Sequence, residues 1–280
     1  MNVRIVVDST ADTSPEIRDR LTVVPLTVHF GDQEYVDGIT ITHKQFYEKL
    51  VESDVMPTTS QPTPEAFADV FRQAEQADEQ VVVLTVSSKL SGTYQSTTIA
   101  AADFSGRVWV VDTQSVAIGS GILAERALRM ADQGMDAPSI AAQLEREREN
   151  IRVIALLDTL EYLKKGGRIS KTVAFAGGML SIKPVAAIQN GEIAILGKAR
   201  GSKQGNNLLI TEIQKAGGVN FDKPLLLGYT GLSDALLEKY VLDSGDLWDG
   251  HGNCIRNTII GSVIGTHAGP GAIAAAFFKK

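Results

Sequence analysis

The chain has 280 residues, 44% of them hydrophobic, which suits one large domain or two modest ones around a substantial core. Acidic residues outnumber basic ones by 33 to 27, a formal net charge of −6, so nothing in the composition favours nucleic acid or an anionic membrane surface as a partner. The single Cys254 has no second cysteine to pair with, and no apolar run approaches the ~20 residues that a membrane span requires. With no signal-peptide pattern after Met1, a cytoplasmic protein without stable membrane insertion is expected.

Taken in chain order, residues 3–8, 23–30, 81–86 and 108–112 are Val-rich runs, apolar at both alternating positions, as strands covered on both faces are. Helical patterns separate them. Ser14-Pro15-Glu16 opens one, Thr42 precedes another over 43–51, and Thr63-Pro64-Glu65 precedes a third over 66–77, each with a capping hydroxyl at its start. A helix is also predicted over 94–102, then a long one through 122–131 to the break at Gln133-Gly134, then one over 138–150 whose Glu145-to-Glu149 series reads as a solvated face. This alternation predicts a parallel sheet with helices on both sides.

After residue 150 the grammar changes. A strand over 151–157 is followed by a hairpin, 185–189 and 192–196, on an Asn190-Gly191 turn. A helix over 206–216, a strand over 225–228, a helix over 234–242 and strands near 259–264 and 272–278 complete the chain. The fold class expected is α/β in two domains: a parallel-sheet α/β/α domain over 1–150 and an α+β domain with a mixed sheet over 151–280.

Three short segments carry the chemistry, each near the end of an apolar run, where open α/β sheets place their ligand crevice. In 87–93, Ser91, Gly92 and Thr93 stand at a helix N-terminus, where hydroxyls and unpaired N–H groups favour an anion; simple capping by Ser91 is the alternative. Residues 58–62 bridge two predicted helices and offer Thr59 and Ser60 as caps, turn formers or donors. Residues 265–271 place three glycines and a proline around His267, implying backbone bent tightly against something. His267 can donate to a carboxylate as neutral imidazole or as imidazolium. Two basic segments, 164–168 and 198–203, read as exposed turns or as cationic edges for phosphate or an acidic partner surface.

The usual signatures of ATP, dinucleotide, hydrolase-elbow and zinc sites are missing from the sequence, so no cofactor or metal is expected. Three readings remain: an anion-binding carrier, a lipid-responsive regulator, and a Ser91/His267 enzyme acting on acyl or phosphoryl esters. The enzyme reading lacks an evident orienting acid, although Asp8 and Asp112 end strands near the crevice.

Read together and in order, Val-Asp-Ser-Thr-Ala-Asp at 7–12, Thr-Ser-Gln-Pro at 59–62, Leu-Ser-Gly-Thr-Tyr-Gln at 90–95, Val-Asp-Thr at 111–113, Leu-Lys-Lys-Gly-Gly-Arg-Ile-Ser at 163–170 and Gly-Thr-His-Ala-Gly-Pro-Gly at 265–271 resemble the DegV family almost end to end. The resemblance implies two α/β domains enclosing a long-chain fatty acid, whose carboxylate is held by Thr59, Ser91 with Gly92 and Thr93, and His267. It also implies that Arg168 and Arg200 lie near the head group or a docking surface. In kinase-associated members a separate ATP-binding subunit phosphorylates the carboxylate, so the carrier itself is not an enzyme. A buried acyl chain contributes about 0.8 kcal/mol per methylene, which calls for a long apolar wall. Residues 173–180 are a candidate for that wall, or an ordinary core helix with small residues.

Overall fold

A computed structural model describes residues 2–169, 182–248, 250–251 and 255–280. The first half runs β1 (Val3–Asp8), α1 (Pro15–Arg18), β2 (Thr22–Val24), β3 (Thr27–Phe30), β4 (Gln33–Val36), α2 (His43–Glu52), β5 (Thr58–Ser60), α3 (Pro64–Gln76), β6 (Gln80–Thr85), α4 (Thr93–Ala101), β7 (Val108–Asp112), α5 (Ile118–Asp132) and α6 (Ala137–Glu147). The second runs β8 (Ile151–Leu156), α7 (Glu161–Lys165), β9 (Ile182–Gln189), β10 (Glu192–Arg200), α8 (Gly201–Lys215), β11 (Leu226–Tyr229), α9 (Ala235–Asp243), β12 (Asn257–Ile259), α10 (Ser262–Ala268) and β13 (Ile273–Phe278).

Among the described residues the strands form three sheets. The Val-rich runs make the expected parallel sheet, ordered β2-β1-β6-β7. Every strand after residue 150 joins a mixed six-stranded sheet, ordered β10-β9-β8-β13-β11-β12, in which β11 and β12 alone run parallel. The β9–β10 hairpin turns on Asn190 (φ 51°) and Gly191 (φ 80°), the left-handed pair that a tight right-twisting hairpin needs. No helix among the described residues is long and apolar enough to cross a membrane.

The third sheet, β4-β3-β5, departs from expectation. The single strand predicted over 23–30 is two strands in different sheets. Pro25 has no N–H to give a ladder, and the next donor, Leu26 N–H, goes to Ser9 Oγ at 3.0 Å, so the chain leaves the parallel sheet there. Residues 58–60 are not a loop between helices but β5, with Thr59 opposite Val28. The strand predicted near 259–264 is also wrong beyond Ile259: residues 262–268 form α10, so half of the glycine-rich segment is helical. Its glycines serve close packing. A Cβ on Gly265 would lie 2.5 Å from the Tyr47 hydroxyl of α2, and one on Gly269 (φ 72°) would lie 2.2 Å from the Tyr162 ring.

The caps behave as expected at α2, where Thr42 and Gln45 form a capping box, and at α3, where Thr63 accepts from Ala66 N. Ser14 makes no such bond.

The two halves share their largest core. Ile5, Val7, Leu84, Ile118 and Leu123 pack in one cluster with Val153, Leu226, Ile260 and Ala274. α5 is buried along nearly its whole length between the sheets. A second seam joins the small sheet and α2 to α10 through Phe46, Tyr47 and Val263.

The Glu145-to-Glu149 series is not the uniform solvated face expected. Glu147 is buried, chelates Arg126 through two 2.8 Å bonds, and accepts from Gln143 and Lys223. Burial alone would raise its pKa, but these donors outweigh it and hold the carboxyl at about 2, down from 4.5. A carboxyl depressed in this way stabilises the fold above its unfolded pKa and loses that contribution as pH falls toward 2. Glu147→Gln is therefore expected to cost about 2 kcal/mol at pH 7 in urea unfolding, with the gap to the wild type shrinking below pH 4.5. A gap that stays constant down to pH 3 would mean that packing, not charge, is responsible.

Candidate functional site

The cavity at the centre of the molecule begins with strand register. Gly228 on β11 pairs with Ala274 on β13, Ala274 with Ala155 on β8, and Ala155 with Ala186 on β9. Four neighbouring strands thus carry their smallest side chains in one row. Ile260 and Ile118 cover Gly228 at one end, while the three alanines are left facing open space. A row of methyl groups fills far less of the layer above a sheet than the leucine or phenylalanine usual in a core, so a trough remains.

The remaining walls come from the first half, with Leu26, Val86, Leu90, Val116 and Ala117, from Ile260 after β12, and from Val263 and Ile264 of α10. Ala117 adopts φ 51° at the start of α5, a backbone state that costs an alanine on the order of 1 kcal/mol and that clusters at functional sites. The resulting cavity encloses about 950 Å³ of space between atoms, part of it open to solvent, and its lining is overwhelmingly apolar. Its polar lining residues are Thr10, Thr59, Ser91, His267 and Arg168; Thr59 and Arg168 both neighbour His267, and Arg168 bonds to Leu90 O, next to Ser91 in the chain.

Each arrives from a different element. Thr59 lies on β5 and its hydroxyl is 3.2 Å from His267 Nε2, on the last turn of α10. Ser91 precedes α4, where its Oγ lies 2.9 Å from Thr93 Oγ1 and accepts from Thr93 N–H at 3.3 Å. Gly92 and Thr93 do not line the cavity. Their work is positional: Gln61 Nε2 donates to Gly92 O at 3.2 Å and to Ser96 Oγ at 2.8 Å, and a Cβ on Gly92 would sit 2.1 Å from Gln61 Oε1. A larger residue at 92 would displace the Gln61 carboxamide from these bonds.

Burial first, and then the nearby Arg168 cation, push the His267 pKa down to about 4, so the imidazole is neutral at pH 7 in the unliganded protein. Its Nδ1 is buried without a hydrogen-bond partner. Gly166 at the end of α7 makes room for the ring, since a Cβ there would lie 2.2 Å from Nδ1. A neutral ring with one unpartnered nitrogen, the Thr59 hydroxyl beside it, the Ser91 hydroxyl on the lining of the same cavity and an exposed guanidinium at the rim can hold an anionic head group and satisfy it by donation. Arg168 is fixed at that rim through its bonds to Gly166 O and Leu90 O.

The arrangement does not make a hydrolytic relay. The Ser91 hydroxyl engages Thr93, the His267 Nε2 faces Thr59, and no described carboxylate orients the ring. Asp8 accepts instead from Thr10 and from Val86 N–H, and Asp112 accepts from Ser88 and Gln114 N–H. Among the described residues, no group of three or more His, Cys, Asp and Glu is placed to hold a metal ion.

Arg200 is not brought to the cavity. It ends β10 on the exposed surface, and its backbone N–H donates to Gln204 Oε1. The candidate wall at 173–180, like Cys254, lies outside the described residues. Thr10, Gln61 and the alanine row are site residues that the sequence reading missed. The first two stood inside quoted motifs, whereas the row becomes a signal only when the pairing of strands distant in sequence is known.

The profile of the DegV family matches residues 2–280. A DegV domain-containing protein of Deinococcus radiodurans is 35% identical over 282 residues, covering 99% of this chain and 98% of its own. A DegV family protein of Thermus thermophilus, solved in a study of its fatty acid binding, superposes with a TM-score of 0.87 at 34% identity, covering 99% of this chain and 100% of that one. The Streptococcus pneumoniae fatty acid kinase B3 protein, solved loaded with linoleic acid, superposes with a TM-score of 0.86 over 100% of both chains; at 22% identity this likeness bears on the fold alone.

Proposed function

Because the chain belongs to the DegV family, we propose that it is a carrier that buries a long-chain fatty acid and presents the carboxylate to a separate kinase subunit for conversion to an acyl phosphate. The observation that supports this reading is an apolar cavity whose lining includes Thr59, Ser91, His267 and Arg168 among its few polar groups. An acyl chain in the trough stabilises the complex by about 0.8 kcal/mol per buried methylene, while the few polar atoms orient the head without supplying chemistry. Thr59 and Ser91 donate to the carboxylate, with His267 as the third donor. Gly92 and Thr93 hold Ser91 in place. The chain divides at residue 150, and the ligand lies between the two units.

The test is direct. Organic extraction of the protein purified from a bacterial host, followed by mass spectrometry, should return stoichiometric fatty acid. A lipid-free native protein that hydrolyses acyl or phosphoryl esters would overturn the carrier reading.

The kinase step assigns different work to the two arginines. Arg168 stands at the cavity rim beside His267, where a transferred phosphoryl group would arrive. Arg200 is remote from the rim and belongs to the docking surface. Arg200→Ala is expected to slow acyl-phosphate formation by an added kinase about fivefold, mainly through association, with lipid occupancy unchanged. Loss of bound lipid in that variant would place Arg200 in the binding site instead.

A further inference from the structure

A second cavity lies back to back with the first and has opposite chemistry. Three short segments form the wall between them. Thr10, Leu26 and Ile260 face the apolar cavity, while their neighbours Ser9 and Ala11, Pro25, and Ile259 face the other. That second cavity encloses about 780 Å³ of space between atoms, part of it open to solvent, and carries Asp12, Asp37, His43, Thr13 and Thr258, with the exposed Arg18 also on its lining.

Its buried acids lack donors. Asp37 is 3% exposed and neither carboxylate oxygen has a hydrogen-bond partner; Asp12 is 6% exposed and its Oδ2 has none. Asp12 Oδ1, by contrast, accepts from Gly261 N–H at 2.8 Å. Three carboxylate oxygens buried together without donors are costly, each by an amount comparable to a lost charge-assisted hydrogen bond, and such groups in a folded protein ordinarily meet an ion, a ligand or water. Nothing in the carrier reading uses them.

We propose that this polar cavity is a binding site for a small molecule bearing a primary ammonium group, held by Asp37 and Asp12. An ammonium carries three N–H donors, which match three unpartnered carboxylate oxygens in number, and its positive charge would join that of Arg18 in offsetting the two buried acids. The described His, Cys, Asp and Glu side chains are not arranged as a metal cage, and the volume exceeds that of a bare ion, so an organic cation fits the space better. The Ser9, Thr13 and Thr258 side chains are the hydroxyls available to the remainder of such a molecule.

Calorimetric titration and thermal melting of the full chain with ethanolamine test this, with potassium and magnesium chloride as matched salts. Saturable binding and a rise in melting temperature are expected for ethanolamine alone. Asp37→Asn should weaken that binding by about tenfold or more, as should Asp12→Asn, which keeps the Oδ1 acceptor for Gly261. Extractable fatty acid should be unchanged in both variants, which separates this test from that of the carrier reading. Absence of saturable ethanolamine binding, equal binding of either metal salt, or binding unaffected by both substitutions would overturn the proposal and leave the cavity to water and protonated carboxyls.

Discussion

Replacing Ala155 with Phe is expected to yield a folded protein that no longer retains a long-chain fatty acid. Ala155 is the middle methyl of the row Ala274–Ala155–Ala186, and the space above it is the cavity itself. A phenyl ring projecting there takes the room of several chain carbons. Excluding four or five methylenes at about 0.8 kcal/mol each removes about 3–4 kcal/mol, a loss of affinity of two to three orders of magnitude. Overpacking a filled core normally costs about 1–3 kcal/mol, but this residue faces unfilled space. The lipid-free variant should therefore melt no lower than the lipid-free wild type. Titration with a fluorescent fatty acid, combined with melting of delipidated samples, checks both halves. Wild-type affinity in a folded Ala155→Phe protein would mean that the acyl chain lies elsewhere.

Removing the two hydroxyls of the head-group site should have the next largest effect. Thr59→Val keeps the shape of β5 and its pairing with Val28, and Ser91→Ala leaves the Gln61 clamp on Gly92 intact. A buried carboxylate that loses a donor is penalised by about 1–3 kcal/mol, so each substitution should weaken fatty-acid binding about 10- to 100-fold. The pair should exceed either single change, because the two hydroxyls approach the carboxylate from separate elements. The corresponding fatty alcohol, which has no charge to satisfy, should bind all of these variants with nearly equal affinity. If acid and alcohol lose affinity in parallel, the hydroxyls are supporting the wall rather than gripping the head group.

His267 shows how far sequence reasoning reaches and where it stops. The glycines and proline around it announced tight packing, and that packing is present against Tyr47 and Tyr162. Sequence left its protonation open, because two causes from outside the segment decide it: burial beneath α7 and the cation of Arg168. The strand that the sequence predicts near 259–264 gives way to helix from Ser262 onward for a similar reason. A short apolar run with Val263 and Ile264 has no periodicity of its own, and its state is set by docking on α2. Pro25 was visible throughout, yet the two sheets it separates were not.

Local chemistry in the sequence determined the parallel sheet, the Asn190-Gly191 hairpin and the caps at Thr42 and Thr63, and the order of its motifs singled out Thr59, Ser91 and His267, which line one cavity. These depend on side-chain shape, backbone preference and motif order, all of which are carried within a few residues of chain. Tertiary structure alone decided that Gly228, Ala274, Ala155 and Ala186 stand abreast, that Thr59 meets His267 across 208 positions, and that Asp12 and Asp37 are buried without donors. A cavity is an absence of packing, and an absence belongs to no single segment: it exists only where the register of several distant strands brings their smallest side chains together.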